Sequence, residues 1–434
     1  MTKGIVTILA IGIVLGTGIF FIGKIKNTIE IMEGGGAKAA LNEMQKSQLL
    51  GEIVGVVVDE KEKAMLEEKP RNIDIEPQKR LQNPPKEIHA IYATSWSAGS
   101  EKKIDYFLDL FRTTDLNAIV IDIKDYSGHV SYDTNLDQVE NYHAEEIKIP
   151  KINTLIKRFH DENVYVIGRV SVFQDQQLIL ARPDLAVLST STGEAWRDRK
   201  GLGWADQGSK EVWDYNIAIA REAFERGFDE VNFDYVRFES DGDLDDAFHR
   251  FWDGVTWKRN IMKEFFAYTR EQLRGFTISA DIFGLVPSAT GDLGIGQYFE
   301  DTLPYFDYVA PMMYPSHYAA GYLGYQNPAE YPYEVVYNSS KDALRRMNIF
   351  RTGTTSPEAL ATANLSELTN QENVVAKLRP WIQDFNLGAT YNEEKVRGQI
   401  NALSDLEKTA PSLVDGYMVW NPSNNYTREA HINE

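Results

Sequence analysis

The chain has 434 residues, 43% hydrophobic and 12% aromatic, with a formal net charge of −19 and no cysteine. That charge argues against nucleic acid or an anionic lipid surface as the main partner, because phosphates would be repelled, and it is compatible with neutral sugars. The absence of thiols excludes disulfides, cysteine nucleophiles and Cys-based zinc sites.

Gly4 to Gly23 form a run of 20 uncharged, mostly apolar residues between Lys3 and Lys24. A helix rising about 1.5 Å per residue would span roughly 30 Å there, the thickness of a bilayer core. The run is longer than the apolar part of a cleaved signal, about 7–15 residues. It predicts a single-pass anchor at 1–24 in the lipid bilayer, with the rest of the chain outside the cell; cleavage would instead give a secreted protein. Residues 25–85, rich in Glu, Lys, Gln and Gly and ending in Pro70, Pro77, Pro84 and Pro85, read as a stalk.

From residue 86 to 434, short β-rich runs alternate with helical patterns, the signature of βα units around a parallel sheet. Strands are predicted near 88–94, 118–124, 164–172, 229–236, 276–282, 307–313, 380–385 and 415–420. Between the third and fourth, Ser209 is a suitable N-cap for a helix with apolar Val212, Tyr215, Ile219 and Ala223, and Gly227 is its C-terminal stop. Eight such units make an α/β fold of the (β/α)8 barrel type. A doubly wound nucleotide fold would need a glycine-rich turn after the first strand, and Thr94 to Gly99 does not supply it.

Barrels carry their chemistry where the strands run out. Here those ends bear Asp122 and Lys124, Arg169, Asp234 and Arg237, and Asp281. The two-residue strand repeat puts Asn232 with Asp234, Thr277 and Ser279 with Asp281, and Asp122 with Lys124 on inward faces. Asp234 and Asp281, on adjacent strands, form a candidate carboxylate pair of the kind used in glycoside hydrolysis. One must stay ionised, and the other must keep a proton near neutral pH through burial and its neighbour's charge. Asp384 is a third candidate acid, with Gln383 as the alternative inward residue. Asp122 and Lys124 are expected to position substrate or pair with each other, Arg169 to orient carboxylates, and Arg237 to hold Asp234. The long connection 314–379 is tyrosine-rich, and Tyr314 and Tyr318 are either sugar-stacking platforms or packing residues. The acidic stretch Asp241–Asp246 lacks the glycine and late Glu of a calcium loop, and the seven histidines show no ligand spacing. No metal or cofactor is expected.

The segments Asp122–Gly128, Val166–Val170, Phe173–Asp175, Val212–Asn216, Asn232–Phe238, Ala280–Gly284, Pro311–Pro315, Trp381–Phe385 and Trp420–Pro422 together resemble a bacterial family of glycoside-hydrolase domains built on a TIM barrel. The resemblance covers about 86–426. The layout is also distantly similar to the α-amylase superfamily, which implies Asp234 as nucleophile and Asp281 and Asp384 as the acids after the fifth and seventh strands. That superfamily carries an Arg two residues before its nucleophile, where this chain has Asn232, and usually a Glu as the acid, where this chain has Asp281. The resemblance also places Trp381 and Trp420 among the candidate substrate-binding residues. The combined expectation is a membrane-tethered hydrolase of a polysaccharide or cell-wall glycan. The alternatives are a non-catalytic carbohydrate-binding barrel and, third, a deacetylase-like metal hydrolase.

Overall fold

The computed structural model describes residues 74–352 and 376–432. The predicted anchor and most of the predicted stalk lie outside the described residues. Among the described residues no helix is long and apolar enough to cross a membrane.

Eight parallel strands form the core: β1 His89–Ala93, β2 Ala118–Lys124, β3 Tyr165–Ser171, β4 Glu230–Asp234, β5 Thr277–Phe283, β6 Tyr308–Met312, β7 Trp381–Gln383 and β8 Tyr417–Trp420. Each pairs with its neighbours in chain order. β8 returns to β1 through His89 opposite Tyr417, and Met312 opposite Trp381 joins β6 to β7, so the sheet closes. All eight overlap the strands expected from the sequence. Closure leaves no exposed edge, and the result is a (β/α)8 barrel.

The main helices are α1 Glu101–Thr113, α2 Ile152–Asp161, α3 Lys210–Arg226, α4 Lys258–Gln272, the short α5 Phe299–Thr302, α6 Pro332–Thr352 and α7 Glu393–Glu407. α3 shows how the sequence sets the boundaries. The Ser209 hydroxyl accepts from Val212 N, and Gly227 ends the helix at a φ of 107°, a left-handed conformation that favours glycine. A side chain at Gly227 would also lie 2.5 Å from Gln78 O, so the N-terminal approach to the barrel passes directly beneath this turn.

Two cores follow from strand alternation. Outward residues such as Ile119, Ile121, Val166, Val231, Phe233, Ile278 and Ala280 pack with helix faces. Inward residues including Ala90, Ala118, Val120, Ile167, Ala310 and Met418 fill the barrel. At the end where the strands begin, Glu230 and Arg379 form a fully buried ion pair at 2.8 Å, with Arg379 stacked 3.4 Å above the Tyr308 ring.

The last part of the predicted stalk runs from the N-terminal end of α2 to this same end. Asp74 accepts from Asn153 N at 2.6 Å and Thr154 N at 3.0 Å, capping α2. Gln78 N donates to Arg226 O, Leu81 N donates to Asp229 at 2.7 Å, and Arg80 lies 5.1 Å from the Phe276 ring. Residues 74–81 thus belong structurally with the barrel.

Candidate active site

At the other end of the barrel, one guanidinium gathers three carboxylates. Arg169 Nη1 donates to Asp122 Oδ1 at 2.5 Å, Nη2 donates to Asp234 Oδ2, and Nε lies 3.5 Å from Asp281 Oδ2. Register explains the convergence. Arg169 sits opposite both Asp122 and Asn232, and Asn232 sits opposite Ser279, so polar inward side chains from β2, β3, β4 and β5 share a level. Asp234 and Asp281 each lie two residues further along their strands. All three carboxylates are buried.

Each acid has its own surroundings. Asp122 also accepts from the Tyr92 hydroxyl, and burial raises its carboxyl above the usual range, against the pull of Arg169. Asp234 Oδ1 accepts from Tyr235 N at 2.5 Å, and Tyr235 takes a φ of 53° to present that N–H, a conformation uncommon for a bulky residue. Asp281 Oδ1 accepts from Trp381 Nε1 at 2.7 Å and from Asn232 Nδ2 at 2.9 Å. Burial, and then the Asp234 charge, push the Asp281 carboxyl up to about 8. One cation cannot neutralise three buried anions, and desolvation makes the unneutralised charge costly. A site in which Asp234 is held by Arg169 while Asp281 keeps its proton can pair a charged carboxylate with an acid.

The other candidate residues separate into two groups. Trp381 reaches the cluster, and Tyr314 is buried beside it, with the Asp281 charge adding to burial in raising its hydroxyl. Trp420 is partly exposed at the mouth, 5.3 Å from the Tyr314 ring and 4.9 Å from Phe385. Lys124 does not join them. A register shift between Asp122 and Lys124 breaks the alternation, so Lys124 points outward into a buried pair with Asp175 at 2.6 Å and donates to Asn216 Oδ1. The expected Asp122–Lys124 pair is therefore replaced by Asp122–Arg169 and Lys124–Asp175.

Arg237 is not the partner of Asp234. It donates to Phe238 O and Ser240 Oγ and lies over the Trp204, Tyr235 and Phe283 rings at 4.6–5.4 Å. Asp384 also stays apart. Trp381 takes the inward position of β7, so the two-residue repeat sends Asp384 to the opposite face. There Thr427 N and Oγ1 both donate to it at 2.7 Å, and burial pushes its carboxyl up to about 6. Tyr318 is buried, its hydroxyl shared between Gly284 O and Ser339 Oγ, which ties the β6 connection down. Tyr92 and Asn232 complete the cluster; Asn232 was visible only as an inward neighbour, and Tyr92 carried no signal beyond its place in β1.

The family described as "Putative glycosyl hydrolase domain" matches residues 90–426. The chain belongs to this family. The match spans the barrel from β1 to beyond β8, including every member of the Arg169 cluster. Among solved structures, this family member is similar to a hypothetical protein from Ruminiclostridium thermocellum (42% identity over 44% of this chain and 96% of that chain, TM-score 0.41). It is also similar to an alpha-galactosidase from Thermus thermophilus (13% identity, 81% of this chain and 65% of that chain, TM-score 0.46) and to a noncanonic maltogenic alpha-amylase from Thermotoga neapolitana (14% identity, 78% and 67%, TM-score 0.39). The chain thus spans slightly less than two thirds of the galactosidase. No curated protein matches it.

Proposed function

We propose that the protein hydrolyses glycosidic bonds in a polysaccharide or cell-wall glycan at the Arg169 cluster, with Asp234 as nucleophile and Asp281 as acid. The observation that carries this reading is the division of labour within one cluster: Asp234 lies in an ion pair, and Asp281 keeps its proton close to neutral pH. Both hydrogen bonds donated to Asp281 fall on Oδ1, and Oδ2 lies 3.5 Å from Arg169 Nε.

In the first step the Asp281 proton passes to the leaving glycosidic oxygen as the C–O bond breaks, and an Asp234 oxygen bonds to the anomeric carbon. In the second, Asp281 takes a proton from water, the resulting hydroxide attacks that carbon, and Asp234 leaves as a carboxylate. Arg169 and Tyr235 N stabilise Asp234 as an anion at both ends of the cycle. Residues 1–24 would tether the barrel to a membrane, with the barrel outside the cell, where such polymers are found.

Asp234→Asn tests this directly. The amide has nearly the same shape and cannot attack, so turnover of any glycan the wild type cleaves should fall by roughly three or more orders of magnitude while the fold persists. Near-normal turnover by Asp234→Asn would refute the assignment.

A further inference from the structure

Several aromatic side chains are left exposed by the fold, Trp257 before α4 most of all at 71%, and two of them follow the adjacent strands β1 and β2. Trp96, in the loop after β1, is 64% exposed, and Tyr126, in the loop after β2, is 51% exposed. Exposed rings of this size offer flat apolar faces on which sugar rings can stack. Ion pairs hold the scaffold beneath them. The Lys148 ammonium lies 5.5 Å from the Trp96 ring and is fixed by Glu146 at 2.9 Å and Asp125 at 3.3 Å. Asp125 immediately precedes Tyr126 and is close enough to Asp122 for its charge to act there. One buried lysine therefore links both platforms to the rim of the acid cluster.

The rim is also stitched to the last strand. Asn424 Oδ1 accepts from Thr94 N at 3.0 Å, its Nδ2 donates to Tyr92 O at 3.1 Å, and Tyr426 bonds both N and O of Tyr92. Thr94 in turn caps the short helix that carries Trp96. β8 neighbours β1 and β1 neighbours β2. The rim thus presents, in spatial order, Phe385 after β7, Trp420 at the end of β8, Trp96 after β1 and Tyr126 after β2, while Asp234 and Asp281 project from β4 and β5. Stacking faces after four neighbouring strands can serve more than one sugar residue.

Resting on the glycosidase reading above, we propose that Trp96 and Tyr126 are outlying sugar-stacking subsites, and that the protein binds an extended glycan along the rim and cleaves within the chain rather than at its end. The apolar faces of successive pyranose rings would lie on the indole and phenol, and the rigid support would limit the entropy lost on binding.

The test uses the full chain in detergent, with Trp96→Ala, Tyr126→Ala and the double variant. The probes are bacterial glycan strands, partially acetylated chitosan and soluble starch, each as polymer and as short oligosaccharides. For a cleaved probe, the double variant should raise KM at least tenfold more for the polymer than for the shortest cleaved oligosaccharide, a difference of about 1.4 kcal/mol, with kcat little changed. Wild-type digests should show intermediate-length products first. An equal penalty on long and short substrates, or release of only terminal units from the start, would overturn the proposal while leaving the Asp234 and Asp281 assignment intact. If no probe is cleaved, the glycosidase reading fails separately. Polymer retention on affinity gels then decides the platforms: weaker retention of the double variant supports them, and equal or absent retention of wild type and variant overturns them.

Discussion

Asp281 lies beneath Arg169 with both Oδ1 donors supplied by the barrel itself, so its ionisation affects activity and stability together. Activity requires the protonated acid, and kcat/KM should decline as pH rises through about 8. Stability has its own sign. The folded carboxyl binds its proton more tightly than an unfolded aspartate, whose value is about 3.9, so the folded state loses stability as pH rises from about 4 to about 8. Asp281→Asn cannot ionise and escapes that loss. It should be inactive, yet its melting temperature relative to wild type should be higher at about pH 9 than at about pH 5. A difference independent of pH would show that Asp281 is not the group titrating. Arg169→Met removes the one cation shared by three buried carboxylates and should cost roughly 3–5 kcal/mol near neutral pH. Urea titration at lower pH should recover part of that loss as the carboxyls take up protons. Asp234 and Asp281 could be read in the sequence because a polar residue two places from another polar residue on an apolar strand points inward. The role of Arg169 as hub depends on register across four strands, which no single segment encodes.

At the scale of elements, all eight strands and the ends of α3 were legible, because apolar runs, the Ser209 cap and the Gly227 stop are local signals. What failed was also local in origin but invisible in composition. The register shift after Asp122 turns Lys124 to the outer face, and a strand written as alternating letters does not reveal it. Asp384 follows the alternation faithfully, but its face was ambiguous until Trp381 was seen to point inward. Trp96 and Tyr126 are solitary loop aromatics without periodicity, so nothing in the sequence distinguished them from packing residues. The α2 cap carries an element-scale prediction. Asp74 accepts from Asn153 N, Thr154 N and the Thr154 hydroxyl, across a sequence gap of about 80 residues. Asp74→Ala should cost about 1 kcal/mol, within the range of lost helix caps, with catalytic parameters unchanged. A change under a few tenths in urea unfolding would mean solvent replaces the cap.

For the molecule as a whole, residues 74–81 link the N-terminal end of α2 to the ends where the strands begin. The acids occupy the ends where the strands finish, while residues 74–81 reach the ends where the strands begin beside a cleft of about 620 Å³ lined in part by Arg80, Tyr165, Phe224 and Phe276. Chain shortening separates the two ends experimentally. A chain starting at residue 72 keeps Asp74 on α2, Gln78 on Arg226 O, Leu81 on Asp229 and Arg80 beside Phe276, and should be soluble and as stable as a chain starting at 25. A chain starting at 86 loses all four contacts and leaves the Asp229 Oδ1 atom that bonds Leu81 N without that donor. Caps and hydrogen bonds of this kind contribute about 1 kcal/mol each, so its melting temperature should drop by several degrees. Because none of these contacts touches the Arg169 cluster, kcat on any cleaved glycan should be the same for the chains starting at 72 and 86 well below the transition. Equal melting temperatures would make residues 74–85 a passive linker, and a loss of kcat without loss of stability would show that the two ends of the barrel are coupled.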